Sequence, residues 1–336
     1  KVMNLFSEGK EFRSKGDTAN HVFPLQLNNE TLGYLKFGSE GEEGVSAMET
    51  LMYYLSIFFD ISDYFTETNI MKITPRKLNR LSVTLKEDDK DKKIIVKRRD
   101  SMSSILQNKP ANGSFQTALK GKTLKSVIND NLTLSSVLPD DVSRMIQFVC
   151  TLFYTIILGM FDVNAGNIIF EGSQIKLFDN SRSLAHSSEF IIWGSNLQVA
   201  FRCALLELEE TYRGLSKEII TILENEIARF KKKLPNIKSF FKRKEINDLI
   251  IQLPKGWFYE DAIIAAIEEK LSRISEKINK IKTCEDLVHI TFPHYRFFTM
   301  LYIINEYLIN KSVIDKVIIN LNTKVSNLYK NTHGTK

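Results

Sequence analysis

Between residues 140 and 179 the chain passes from a stretch that is apolar on every side, through a short polar loop, into two short apolar runs divided by Glu171-Gly172-Ser173. A helix that is apolar all round has to be buried. The runs at 168–170 and 175–178, parted by that turn sequence, read as a hairpin. The rest of the chain must therefore wrap one helix on all sides and hold a loop and a hairpin at its end. The apolar stretch, residues 145–161, contains Gln147 and falls short of the roughly 20 apolar residues of a bilayer span, so no transmembrane segment is expected. With 336 residues, 43% of them apolar and 26% charged, the chain has ample material for a core and the length of about two domains. Disordered, collagen-like and disulfide-scaffold classes are excluded.

The first 120 residues read as short strands around one helix. Residues 21–27 and 31–37 flank Asn28-Asn29, a hairpin turn signal. After the glycine- and glutamate-rich loop 38–44, Met48, Leu51, Met52 and Leu55 recur at helical spacing over 45–59. Residues 60–81 carry no clear pattern. A charged turn at 86–91, a strand at 94–96, a loop at 108–113 and a last strand at 114–119 follow. Beyond Gly121 the pattern becomes helical, at 126–128, at 140–158, and from about 196 to 329. Ile267, Leu271, Ile274, Ile278 and Ile281 form one apolar face, which predicts packing within a helical bundle. Cys150, Cys203 and Cys284 form no CxxC pair, which fits a reducing, cytoplasmic compartment rather than a zinc site. Opening at Lys1, the chain reads as a piece of a longer one.

Chemistry concentrates in Asp162-Val-Asn-Ala-Gly-Asn167 and Leu177-Phe-Asp179-Asn180. Phosphoryl transfer from ATP needs one carboxylate to orient the attacking hydroxyl, and an amide oxygen with a second carboxylate to hold a divalent cation against the phosphates. Asp162, Asn167 and Asp179 supply these types in that order, and the hairpin would bring Asn167 and Asp179 together. Upstream, Lys36 lies in a strand and Glu49 one turn into the first helix. A strand lysine that reaches nucleotide phosphates is held by a helix glutamate in this way.

On these residues the chain resembles atypical branches of the protein kinase superfamily. Gly-Met-Phe-Asp162-Val-Asn-Ala-Gly-Asn167-Ile-Ile and Ile-Lys-Leu-Phe-Asp179-Asn180 look like the catalytic and metal loops of type II phosphatidylinositol 4-kinases. They are similar also to secretory-pathway kinases and to remote kinase-like effectors of intracellular bacteria. Gln116-Thr-Ala-Leu-Lys-Gly121 resembles the interlobe hinge. The resemblance, over roughly residues 10–215, implies an α+β bilobal kinase-like fold. A strand-rich N-lobe would span 1–118, a helical C-lobe 119–255, and a helical extension 256–336. It implies ATP with Mg²⁺ or Mn²⁺ in the cleft. Lys36 would meet the α/β-phosphates, Glu49 anchor it, Asp162 act as base, and Asn167 and Asp179 bind metal. Gln116, Thr117, Ala118 and Leu119 would meet adenine. The implied activity is transfer of phosphate to a protein hydroxyl. Phosphoinositide kinase, AMP transfer and a catalytically inactive binding module stay open, as does release into a host cytosol. The chain departs from the family in having Met160-Phe161 before Asp162 and Asn180-Ser181 after Asp179. It also has Tyr34 two residues before Lys36 and a single glycine, Gly16, in the phosphate-covering loop. Arg182 is the candidate for the cation missing near the transferred phosphate.

One further segment stands apart. The whole chain carries a net charge of +6, yet Arg229, Lys231, Lys232, Lys233, Lys238, Lys242, Arg243 and Lys244 fall within sixteen residues that hold no acid. Such a cluster suits an inositol polyphosphate such as inositol hexakisphosphate, or an anionic lipid; nucleic acid is not expected. A second cluster, Lys92, Lys93, Lys97, Arg98 and Arg99, is weaker.

Overall fold

The computed structural model describes residues 21–27, 30–37, 44–73, 111–130, 141–160, 165–181, 183–184, 216–282, 286–287 and 290. The expected features at 14–20, 28–29, 86–99, 161–164 and beyond 290 lie outside these residues, as do Arg182, Cys203 and Cys284. The described part is a mixed helix-and-strand structure of α+β type with two small antiparallel sheets.

Strand β1 (His21–Leu27) pairs antiparallel with β2 (Glu30–Phe37), as the turn signal predicts, with a slip of register between Leu25 and Gln26. Helix α1 (Val45–Phe58) follows and buries Met48, Leu51, Met52 and Leu55, the residues of its periodic stripe. Beyond it the structure adds β3 (Thr68–Ile73), in a region without a sequence pattern. Strand β4 (Ala111–Thr117) starts earlier than expected, taking up residues read as loop. The two differences have one cause. Each strand is specified by the other, with Ile73 opposite Ala111 and Thr68 opposite Gln116, and no local pattern reports a partner some forty residues away. The first sheet has the order β1-β2-β4-β3.

The second sheet is β5 (Lys122–Thr123), β6 (Ile168–Glu171) and β7 (Gln174–Leu177). The β6–β7 hairpin turns at Gly172, which adopts a positive φ of 61°. Gly121 lies so close to β6 that a Cβ there would stand 1.8 Å from the Phe170 carbonyl oxygen. Helix α2 (Leu124–Asn129) leads toward α3 (Asp141–Ile157), the all-round apolar helix. Residues 148–160 are buried without interruption. Four polar side chains of α3 are satisfied inside it or by its neighbours. The Thr151 and Thr155 hydroxyls donate to the carbonyls four residues back, at 2.6 and 2.8 Å, and Tyr154 donates to Glu226 at 2.7 Å. Gln147, the one amide in the apolar stretch, donates to the Ser173 carbonyl and accepts from Ile175 N at 2.6 Å. It thus fastens the hairpin to the helix.

The remaining helices close the core. They are α4 (Ser216–Lys233), α5 (Ile237–Phe241), α6 (Lys244–Ile250) and α7 (Glu260–Lys277). The stripe from Ile267 to Ile281 is buried in the same core cluster as α1, α3 and the second sheet, which is the expected bundle packing. Lys270 on α7 is also buried, 2% exposed, with Nζ 3.5 Å from the Ile157 carbonyl at the end of α3. Helix α1 is held at both ends by this late part of the chain. At its start, Gly44 lies against Pro254, where a Cβ would come within 2.2 Å of Cδ. At its end, Phe59 stacks on Phe230 with centroids 4.2 Å apart, and Phe58 meets Phe240 at 4.7 Å. Among the described residues no helix is long and apolar enough to cross a membrane.

Candidate active site

Three elements far apart in sequence converge on one ammonium. Lys36 stands in β2, opposite Ser114 of β4, and its Nζ donates to Glu49 Oε1 on α1 and to Asp179 Oδ1 just beyond β7. Ser114, absent from the sequence reading, donates from Oγ to the other Glu49 oxygen at 2.6 Å. Ser46 adds a bond to the Lys36 carbonyl at 3.0 Å, tying the first turn of α1 to β2. Lys36, Glu49 and Ser114 are all buried, whereas the Asp179 side chain is about a third exposed, at 34%.

Asp179 is aimed by its backbone. Its φ is +58°, a left-handed conformation that aspartate tolerates better than most residues but that still costs on the order of 1 kcal/mol. The surroundings hold it there. The Leu177 carbonyl accepts from both Thr66 N and Thr66 Oγ1, at 3.0 and 3.1 Å, and Phe178 N donates to the Asn167 carbonyl at 3.0 Å. On the far side, Ser181 Oγ donates to Asp179 Oδ1 at 3.2 Å and Ser183 Oγ to the Asn180 carbonyl at 3.0 Å. Asn167 ends a short 3₁₀ turn, Ala165–Asn167, and is buried, its carbonyl bonded to the residue just before Asp179. Asp162, the expected base, lies outside the described residues.

The electrostatics follow from one cation between two acids. Burial opposes the Lys36 charge, but Glu49 and Asp179 together raise its pKa above the ordinary lysine value. Burial pushes the Glu49 carboxyl up, and the Asp179 charge adds to this against the pull of Lys36 and Ser114. Burial also acts on Asp179, but Lys36 outweighs it, with help from Ser181, and holds that carboxyl below the usual range. Lys36 cannot neutralise both acids, and the more exposed one keeps the firmer charge.

For a divalent cation, the described residues hold no group of three or more His, Cys, Asp or Glu. The donor set that the sequence proposes is different, one amide and one carboxylate with phosphate oxygens completing the shell, which suits Mg²⁺. Asp179 fits this role. Its Oδ1 takes both Lys36 and Ser181, and its side chain is the exposed member of the cluster.

At the expected adenine contact the structure narrows the sequence reading. Thr117 N donates to the Glu67 carbonyl at 3.1 Å and Ala118 N to the Leu32 carbonyl at 3.0 Å. These two N–H groups are committed to the fold and do not serve a ligand. The Leu119 N–H makes no bond among the described residues. Gln116 is buried, 7% exposed, and its Nε2 has no hydrogen-bond partner among the described residues.

Of the eight cations in the basic segment, three pair with acids among the described residues. Arg229 pairs with Glu226 at 3.1 Å, Lys233 with Asp60 at 2.7 Å and Lys238 with Asp261 at 2.8 Å. Lys231 donates to Ser275 at 3.3 Å, and Arg243 lies 5.6 Å from the centroid of the Phe240 ring. Lys232, Lys242 and Lys244 are exposed. Asp60 and Asp261 reach the segment from other elements, whereas Glu226 lies three residues before Arg229 on the same helix. No model of a known protein family matches the chain, and neither does any curated protein sequence.

Proposed function

We propose that this protein is an atypical kinase that transfers the γ-phosphoryl group of ATP to a protein hydroxyl. The observation that supports it best is the buried Lys36 ammonium shared by Glu49 and Asp179. A strand lysine paired to a helix acid, beside a metal-loop aspartate, is the arrangement by which protein kinases carry out phosphoryl transfer. Under this reading the fold is bilobal. The first sheet and α1 form the smaller lobe, α2, α3 and the second sheet belong to the larger one, and the nucleotide lies between them.

Each residue then has a role. Lys36 binds the α/β-phosphates, and Glu49, fixed by Ser114, keeps it directed there. Asn167 and Asp179 hold Mg²⁺ or Mn²⁺, which when bound neutralises phosphate charge. The cluster of Lys36, Glu49 and Asp179 carries one net negative charge when all three are ionised, which favours a cation at Asp179. Leu119 N–H offers the base a donor. Asp162 accepts the proton of the acceptor hydroxyl as its oxygen bonds to the γ-phosphorus. The bond from that phosphorus to the β–γ bridging oxygen breaks, and ADP leaves.

The test is incubation with γ-labelled ATP and Mg²⁺ or Mn²⁺, offering a generic basic protein in one arm and phosphoinositide vesicles in the other. Label in protein is expected, and Asp179→Ala should abolish it. Label in lipid would make the chain a phosphoinositide kinase. Metal-dependent ATP binding with no transfer would make it a binding module. Full activity of Asp179→Ala would refute the site assignment.

A further inference from the structure

Gln116 occupies a particular place in the first sheet. It lies on β4, one of the two inner strands, opposite Tyr34 of β2 and Thr68 of β3. Residues opposite one another in an antiparallel ladder share a face, and so do residues two apart along a strand. Gln116 therefore shares a face with Ser114 and Lys36, and the bond from Ser114 to Glu49 identifies that face as the one carrying the site. Along the strand Gln116 stands between the Lys36 cluster and Leu119.

Its Nε2 is buried, yet it has no acceptor among the described residues. Its neighbour Thr68 has already donated its hydroxyl to the Thr66 carbonyl at 2.9 Å. A buried polar atom left unpaired in a folded chain calls for an explanation, and a ligand that completes the bond is one. The ligand would have to present an acceptor at this depth, between the group that binds phosphates and the group that meets the base.

We propose that Gln116 reads the nucleotide base, its Nε2 donating to N7 of adenine and its Oε1 accepting from the 6-amino group. This rests on the ATP reading above and goes beyond it by assigning base specificity to one side chain. A glutamine amide matches adenine at N7 and the 6-amino group together. A site built to hydrogen-bond a group rejects the analogue that lacks it, because its own polar atom is then left unpaired.

The test compares ADP with 7-deaza-ADP, in which a carbon replaces N7, by calorimetric titration of the whole chain in Mg²⁺. The unpaired donor should make 7-deaza-ADP bind about 5- to 100-fold more weakly. In Gln116→Leu the two nucleotides should bind equally; if that variant does not melt cooperatively, Gln116→Met serves instead. Equal affinities in the unaltered protein would overturn the proposal, as would a preference for ADP that survives the substitution. If neither nucleotide binds the unaltered protein, the ATP reading itself falls and this inference with it.

Discussion

Replacing Lys36 by methionine keeps the length of the side chain and removes the one cation between two acids. Glu49 Oε1 and Asp179 Oδ1 both accept from the same nitrogen, so they stand no more than about 5–6 Å apart. At that separation two negative charges repel by about 3 kcal/mol at an effective dielectric constant of 20. Two charge-assisted hydrogen bonds are lost as well. Removing one partner of a buried ion pair costs about 3–5 kcal/mol, and for a domain of a few hundred residues each kcal/mol lowers Tm by about 2–4 °C. A fall of roughly 6–20 °C at pH 7 is therefore expected. The pH dependence is the sharper test. In the unaltered protein Asp179 has a depressed pKa, so its contribution is present above the unfolded carboxylate value and lost as pH falls through the folded one. Glu49 is already raised by burial in the unaltered protein, and in Lys36→Met, with no cation between the two carboxylates, its pKa must rise further. Its ionised form then opposes folding, and stability should recover as pH is lowered from 7 toward 5. Thermal melts of both proteins across pH 5–8 decide the matter. Parallel curves of Tm against pH would refute the shared-ammonium account.

Three further outcomes follow from the geometry. Ser114→Ala leaves Glu49 Oε2 without its donor and should cost about 1.5–3 kcal/mol in urea denaturation, while binding of ATP weakens. Lys270→Met should stabilise the protein at pH 7, because burial pushes the Lys270 pKa down to about 8. The charged form opposes folding below that pH, by about 3 kcal/mol, and stability in the unaltered protein should rise between pH 8 and 10.5 but not in the variant. Gly121→Ala places a methyl group 1.8 Å from the Phe170 carbonyl oxygen and should cost about 1–3 kcal/mol by prising β5 from β6, read as a lower urea midpoint.

Much of this arrangement was legible in the sequence where chemistry and local order coincide. Lys36 and Glu49 stand out because a strand followed by a helix places one cation and one acid at workable offsets. Asp179 stands out because a hairpin returns it to Asn167. Ser114 could not be found this way, since a serine in a strand carries no signal until its partner on α1 is known. The same holds for β3, whose register exists only against β4. Gln147 looked like a flaw in an apolar helix, and its two bonds to the hairpin became visible only in three dimensions. The ion pairs of the basic segment are hidden for a related reason: Asp60 and Asp261 reach it from other elements.

The grip on α1 by the late part of the chain has a bearing on which portion is self-sufficient. A truncation that ends before Ser216 would retain every residue assigned to phosphate, cation and base. It would strip away Phe230, Phe240 and Pro254, the props against which the Glu49 helix leans. The segment that resembles a kinase is therefore not a portable unit, and an inactive short fragment would say nothing about the chemistry of the whole.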